Sequence, residues 1–187
     1  MDHYLEIRLL PDPEFKTTVL MNALFAKLHR ALFDLDARCI GVSFPAADVD
    51  RPCLGDRLRL HGTSGDLQSL MAVEWLTGMR DHIELRGPAI VPDRVRYRVV
   101  KRVQAKSSPE RLRRRLAKRK GMTEDEARRA IPLSAAERLN LPYVTIKSRS
   151  TGQDFRLFVD QRPPFDHAIS GAFNHYGLSA TATVPWF

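Results

Sequence analysis

An α+β fold in two parts is what the hydrophobic periodicity of this 187-residue chain predicts, and three observations carry the prediction. Over residues 1–94, stretches of apolar–polar alternation take turns with stretches whose apolar residues recur at helical spacing. Over residues 95–187, an extended segment, a basic helix at 108–120, a short second helix and a hairpin make a smaller α+β part. With 43% hydrophobic and 28% charged residues, the composition is that of a globular chain able to bury a core.

The elements follow in order. His3–Leu10 alternates through Leu5, Ile7 and Leu9 and reads as a strand stopped by Pro11 and Pro13. A helix from about Glu14 to Leu35 places Met21, Leu24, Phe25, Leu28, Leu32 and Leu35 on one buried face. Cys39–Phe44, ending at Pro45, and Arg57–His61 read as strands. Ser64 or Asp66 caps a helix through Leu67, Leu70, Met71 and Trp75, and a last strand lies within Ile83–Val91. The order β-α-β-β-α-β is that of the ferredoxin-like fold, which includes the RNA recognition motif. Past Pro92, Val95–Lys106 is extended. Ser107 with Glu110 is a capping box and Pro109 suits a first helical turn; the helix then runs to about Lys120, where Gly121 fits a left-handed cap. Thr123 with Glu126 opens a second helix that ends before Pro132. Tyr143–Ser148 and Phe155–Asp160 pair around Ser150-Thr151-Gly152-Gln153, and short extended pieces near Gly171–Leu178 and Val184–Phe187 finish the chain.

Charge narrows the function class. The net charge is +8, yet residues 98–120 alone hold 11 basic side chains against one acid, a local +10. Residues 1–97 hold 12 basic and 14 acidic groups, and residues 121–187 seven of each. So focused a field implies a polyanionic partner, nucleic acid before an acidic membrane surface. No apolar run nears the roughly 20 residues that span a bilayer, so a membrane protein is not expected. The MDHYLEIRLL start lacks the features of a signal peptide, and two cysteines, Cys39 and Cys53, make neither a disulfide framework nor a four-cysteine zinc site. A cytoplasmic protein with reduced thiols is expected. There is no P-loop, no GxGxxG and no metal-type spacing among the six histidines, so neither metal nor cofactor is expected.

On the basic helix, Leu112 and Leu116 form a narrow apolar edge, while Arg111, Arg114, Arg115 and Lys118 share an arc with Arg119 at its border. A solvated face is the ordinary reading of a charged run; here the density of cations and the near absence of acids favour phosphates. Two leucines are too few for an interfacial helix. The ferredoxin-like order favours RNA, whose deep major groove hides its bases, so base reading has to come from elsewhere. Arg102 and Gln104 stand two apart in an extended segment, face one way, and can both bond purine edges. Phe155, after the hairpin turn, suits stacking on a base, although an aromatic there is more often core.

If the chain acts on RNA, the least demanding chemistry uses the substrate's own 2′-hydroxyl as nucleophile, with a base to take its proton and a group to position it. His29 lies at the rim of the long helix's apolar face, and histidine is the side chain whose ordinary pKa, about 6.5, suits a base near neutral pH, though the residues alone do not lift it above a packing histidine. Ser148 and Ser150 flank Arg149, and Tyr176 follows His175; their hydroxyls suit orienting roles as well as ordinary surface ones.

Across its length the sequence resembles the CRISPR-associated repeat-processing endoribonucleases of the I-F subtype. The segments that carry the likeness are MDHYLEIRL at the start, KLH at 27–29, GVSFP at 41–45, RVQAKSSPERLRRRL at 102–116, STGQDFRLF at 150–158, HYGLS at 175–179 and the terminal VPWF. The resemblance implies metal-independent cutting of precursor CRISPR RNA at the base of a repeat hairpin, leaving a 2′,3′-cyclic phosphate and a 5′-hydroxyl, with the product retained. It implies His29 as general base, Ser148 holding the attacking hydroxyl and Tyr176 orienting near the scissile site. It also implies Arg102 and Gln104 reading the foot of the stem, Phe155 stacking under the terminal pair, Ser150 and Thr151 near the scissile phosphate, and Arg114, Arg115, Lys118 and Arg119 in the groove. Other subunits of a crRNA effector complex are implied partners. Two positions depart: Lys118 stands where the family carries arginine, and His175 is not an expected histidine. A hairpin-binding subunit that does not cut is the competing reading; a DNA-binding regulator lacks the helix-turn-helix pattern.

Overall fold

The computed structural model describes residues 1–48, 50–104, 109–131, 139–148 and 152–187. The chain divides into two compact units, Met1–Val103 with Leu141–Phe187, and Gln104–Asn140.

The larger unit holds two antiparallel four-stranded sheets. The first is built from β1 (His3–Leu9), β2 (Gly41–Ser43), β3 (Arg57–Gly62) and β4 (Ile83–Ile90) in the order β2-β3-β1-β4, with helices α1 (Thr17–Asp34) and α2 (Ser64–Ala72) in the connections. This is the expected ferredoxin-like arrangement. The second contains β5 (Arg96–Val103), β6 (Tyr143–Lys147), β7 (Asp154–Gln161) and β8 (Thr183–Trp186) in the order β6-β7-β5-β8. Leu5, Ile7 and Leu9 of β1 and Leu24, Phe25, Leu28 and Leu32 of α1 join Val100, Val144, Ile146, Leu157 and Val184 of the second sheet in one apolar core. Each such side chain, fully buried, contributes ~1.5–3 kcal/mol, so the two sheets are bound through α1 and not merely adjacent in sequence.

Several boundaries differ from the sequence reading, each for a visible reason. α1 starts at Thr17 because the Asp12 carboxylate accepts the N–H groups of Glu14 and Phe15, both at 2.8 Å, and bends the chain first. Leu35 is the C-cap and is exposed, so it lies outside the buried stripe. β2 stops at Ser43 because both main-chain groups of Phe44 go to the Gln161 side chain. Neither Ser64 nor Asp66 is the N-cap of α2: Thr63 is, with Asp66 completing its capping box, and Trp75 is buried beyond the helix end. Gly171–Leu178 forms no strand, because Asn174 takes the N–H groups of Tyr176 and Leu178 with its own side chain and closes a turn.

The sheet face that an RNA recognition motif leaves open is closed here. Glu6 of β1 and Arg59 of β3 meet on that face at 2.7 and 3.0 Å, and both are buried. Arg59 also donates to the Phe187 main-chain oxygen at 2.8 Å and lies 4.1 Å from the centre of its ring. A buried pair with its remaining donor satisfied in this way resists disruption, because removing one partner strands the other charge at a cost of about 3–5 kcal/mol.

The smaller unit carries α3 (Pro109–Lys120) and α4 (Glu124–Ala130). Gly121 at φ +63° ends α3, and Thr123 with Glu126 forms the expected capping box of α4. Arg113 donates to the Ile131 carbonyl at 2.8 Å, which ties the two helices. The predicted Ser107–Glu110 box and the segment around Pro132 lie outside the described residues.

His61 supplies a pH test of this core. Burial first, and the Arg59 charge second, push its pKa down from 6.5 to about 3. The unfolded ring titrates near 6.5, so between those values the unfolded state binds the extra proton and stability falls as pH drops. The contribution approaches ~1.4 kcal/mol per pH unit within that window. Urea unfolding across it should show His61→Asn with a shallower loss than the parent; parallel losses would place the proton sensitivity elsewhere.

Candidate active site

The buried stripe of α1 sets the rotation of the helix, and with Leu28 fully buried its neighbour His29 falls at the rim, half-buried. Thr145 of β6 donates its N–H to Asn22 of α1 at 3.0 Å, which fixes β6 alongside the helix. Ser148 follows the end of β6 at the mouth of a hairpin closed by Ser148 N–H to Gln153 O and Gly152 N–H to Ser148 O, both 2.8 Å. Gly152 takes the positive φ expected of it, +67°.

The third side of the site is the turn at 174–178. Gly177 sits at φ +69°, and any Cβ there would lie 2.5 Å from Val42 Cγ1, so only glycine lets the turn approach β2 this closely. Tyr176 is thereby laid on His29, with ring centroids 4.0 Å apart and planes 18° from parallel, and its ring also stacks 6.5 Å from that of Phe25. His29 Nδ1 lies 2.8 Å from the His175 carbonyl oxygen. A carbonyl only accepts, so Nδ1 carries the proton, and in the neutral ring the lone pair belongs to Nε2.

His29, Ser148, Phe155 and Tyr176 line one cleft of about 540 Å³, together with Arg30 and Lys147. Phe155 is half-buried in its wall, with the Arg102 guanidinium 5.6 Å from its ring and 5.5 Å from that of Tyr176. Arg102 Nε is buried without an acceptor among the described residues. The His175 ring is not in the lining: its Nε2 donates to Asp36 at 2.8 Å, so the unexpected histidine offers the site a main-chain carbonyl. Hydrogen bonds from His175 first and Arg38 second hold the Asp36 carboxyl below its ordinary range.

Sequence reasoning missed Arg30 and Lys147, whose only signal was adjacency to His29 and Ser148. Gln104 follows β5 and is exposed. On α3, Leu112 and Leu116 are half-buried, whereas Arg114, Arg115, Lys118 and Arg119 are exposed and make no ion pair among the described residues. A hollow of about 700 Å³ in that unit is lined by Leu112, Arg115, Leu116, Lys118, Arg119 and Ile131. Ser150, Thr151 and the Arg111 side chain lie outside the described residues. Among the described residues, no three His, Cys, Asp or Glu side chains group as metal ligands, and no helix is long and apolar enough to cross a membrane.

Residues 4–187 match the model of a family described as "CRISPR-associated protein (Cas_Csy4)". The chain is 54% identical over 187 residues to a protein of Pseudomonas aeruginosa (strain UCBPP-PA14) named "CRISPR-associated endonuclease Cas6/Csy4". It is 48% identical over 187 residues to one of the same name from Escherichia coli (strain UTI89 / UPEC). Both alignments cover 100% of this chain and 100% of the relative.

The tautomer is directly measurable. Nitrogen NMR of the neutral protein should show His29 protonated at Nδ1 and not at Nε2; the opposite pattern would remove the bond to the His175 carbonyl.

Proposed function

Because the chain belongs to the Cas_Csy4 family of CRISPR-associated proteins, we infer that it is an endoribonuclease that processes CRISPR RNA, and we propose how its cleft does so. The substrate is the repeat hairpin of the precursor, cut at the base of its stem. His29 Nε2 takes the proton of the 2′-hydroxyl; the freed oxygen attacks the adjacent phosphorus, the bond from phosphorus to the 5′-oxygen breaks, and that oxygen picks up a proton. The products are a 2′,3′-cyclic phosphate and a 5′-hydroxyl. Water is not consumed and no metal is required.

The Nδ1–H bond to the His175 carbonyl is the observation that carries this reading, since it leaves Nε2 as the basic nitrogen. Ser148 hydrogen-bonds the attacking hydroxyl, and Tyr176, stacked on the imidazole, keeps it from turning. Phe155 stacks under the lowest base pair, with Arg102 and Gln104 bonding the purine edges beside it. Ser150 and Thr151 line the scissile phosphate. Arg111, Arg114, Arg115, Lys118 and Arg119 contact stem phosphates; Lys118 does so as a point charge and not as the two-pronged fork of an arginine. Those contacts keep the product bound and deliver it to the other subunits of an effector complex.

One cleavage assay in chelator tests the chemistry. The parent should cut the cognate hairpin, and His29→Ala should lose about 10²–10⁴-fold in rate while binding it as before. A cut that stops on chelation, or a histidine variant that cuts normally, would overturn the mechanism. Changing Arg114, Arg115, Lys118 and Arg119 to glutamine should flatten the salt dependence of binding by about 0.7–0.9 slope units per phosphate lost. An unchanged slope would mean that α3 faces something other than RNA.

A further inference from the structure

The residue that ends α1 is locally the wrong one. The helix closes with the paired bonds of a Schellman motif: Ala37 N–H reaches Leu32 O at 2.9 Å and Asp36 N–H reaches Phe33 O at 3.1 Å. The residue at that bend must take a left-handed conformation, and Asp36 has φ +44° where glycine is the usual occupant. Its carboxylate also adds negative charge at the negative end of the helix dipole. Both effects are unfavourable, and they persist only if something else holds Asp36.

Two groups do. Asp36 Oδ1 accepts from Arg38 Nε at 3.0 Å and from His175 Nε2 at 2.8 Å. His175 is also the residue whose carbonyl receives His29 Nδ1–H. One residue therefore has its ring moored to the end of α1 and its main chain bonded to an imidazole on that helix. Phe33 packs edge-on against both rings, 5.1 Å from His175 and 6.5 Å from His29. The titratable and charged groups that face the two histidines include Asp36, with Arg38 behind it, Tyr176 stacked on His29, Arg102 against the Tyr176 ring, and Arg30 and Lys147 in the cleft wall.

We propose that Asp36 and His175 are positioning residues: the Asp36 carboxylate moors the His175 ring, and this holds the carbonyl that keeps His29 protonated at Nδ1 and basic at Nε2. The inference rests on His29 being the general base. It assigns no contact with RNA to Asp36 or to the His175 ring.

Single-turnover cleavage of pre-bound hairpin, run against pH, tests it. Asp36→Gly suits the positive φ while removing the carboxylate, His175→Ala removes the ring while keeping the main chain, and Asp36→Asn keeps an acceptor without charge. The glycine and alanine variants should each slow cutting roughly tenfold, the low end of what losing an outer partner costs a metal-bound imidazole. Their hairpin Kd should stay within about twofold of the parent's, because neither group touches the RNA. The acid limb of the rate should move to lower pH, since a loosened carbonyl no longer favours the protonated ring. Asp36→Asn should recover most of the rate, and the double variant should be no slower than His175→Ala, because the two act in one chain. Parental rates, additive losses, an unmoved pH profile, or a loss confined to Kd would each overturn the proposal. His29→Ala, run alongside, separates the failures. If it still cuts normally, the general-base reading falls and this inference with it. If it is inactive while His175→Ala is fully active, only this inference falls.

Discussion

The hydrogen bond between the His29 ring and the His175 carbonyl joins a helix to a turn, and both of its ends are fixed by burial. On one side, Leu24, Phe25, Leu28 and Leu32 lock the rotation of α1, so the ring cannot leave the rim without dragging apolar surface into water. On the other, Gly177 seats the turn against Val42 of β2, and Asn174 closes it with two main-chain bonds. A reactive group held between two such elements needs little reorganisation when substrate arrives. Leu28→Ala is therefore a different kind of change from any at the cleft surface: the cavity it leaves removes stability and the register of His29 together.

In the proposed mechanism, chemistry and affinity are drawn from different parts of the chain. The cleft residues come from α1, the β6–β7 hairpin and the 174–178 turn of the larger unit, whereas the exposed cations of α3 belong to the smaller one. The ferredoxin-like sheet, used as a stacking platform in RNA recognition motifs, is occupied by Glu6, Arg59 and Phe187. In the proposed mechanism, RNA contacts accordingly fall on side chains outside that sheet. On that proposal the scaffold supports a binding mode other than that of an RNA recognition motif, because a fold does not by itself assign a binding surface.

The ferredoxin-like order was legible because α1 and the strands of the first sheet have strong, uninterrupted periods, and Leu5, Ile7 and Leu9 all fall inside as the alternation requires. The errors came where side chains replace main-chain partners. Gln161 caps β2 from 117 residues away, and Asn174 converts an apparent strand into a turn; neither act leaves a periodic trace. His29 and Ser148 line one cleft, which depends on contacts between residues more than a hundred positions apart that spacing cannot encode. The Asp36–His175 bond is of the same kind: each residue looks anomalous alone, and only the fold brings the two anomalies together.

In the proposed reaction the RNA supplies its own nucleophile to a base prepared by the protein. The most direct measurement replaces the single 2′-hydroxyl just upstream of the cut by hydrogen and follows binding and cleavage of the otherwise cognate hairpin. Full binding with no cleavage is expected of the deoxy strand, and a 2′,3′-cyclic phosphate on the product of the unmodified strand. Cleavage of the deoxy strand, or a simple 3′-hydroxyl or 5′-phosphate on the products, would contradict it.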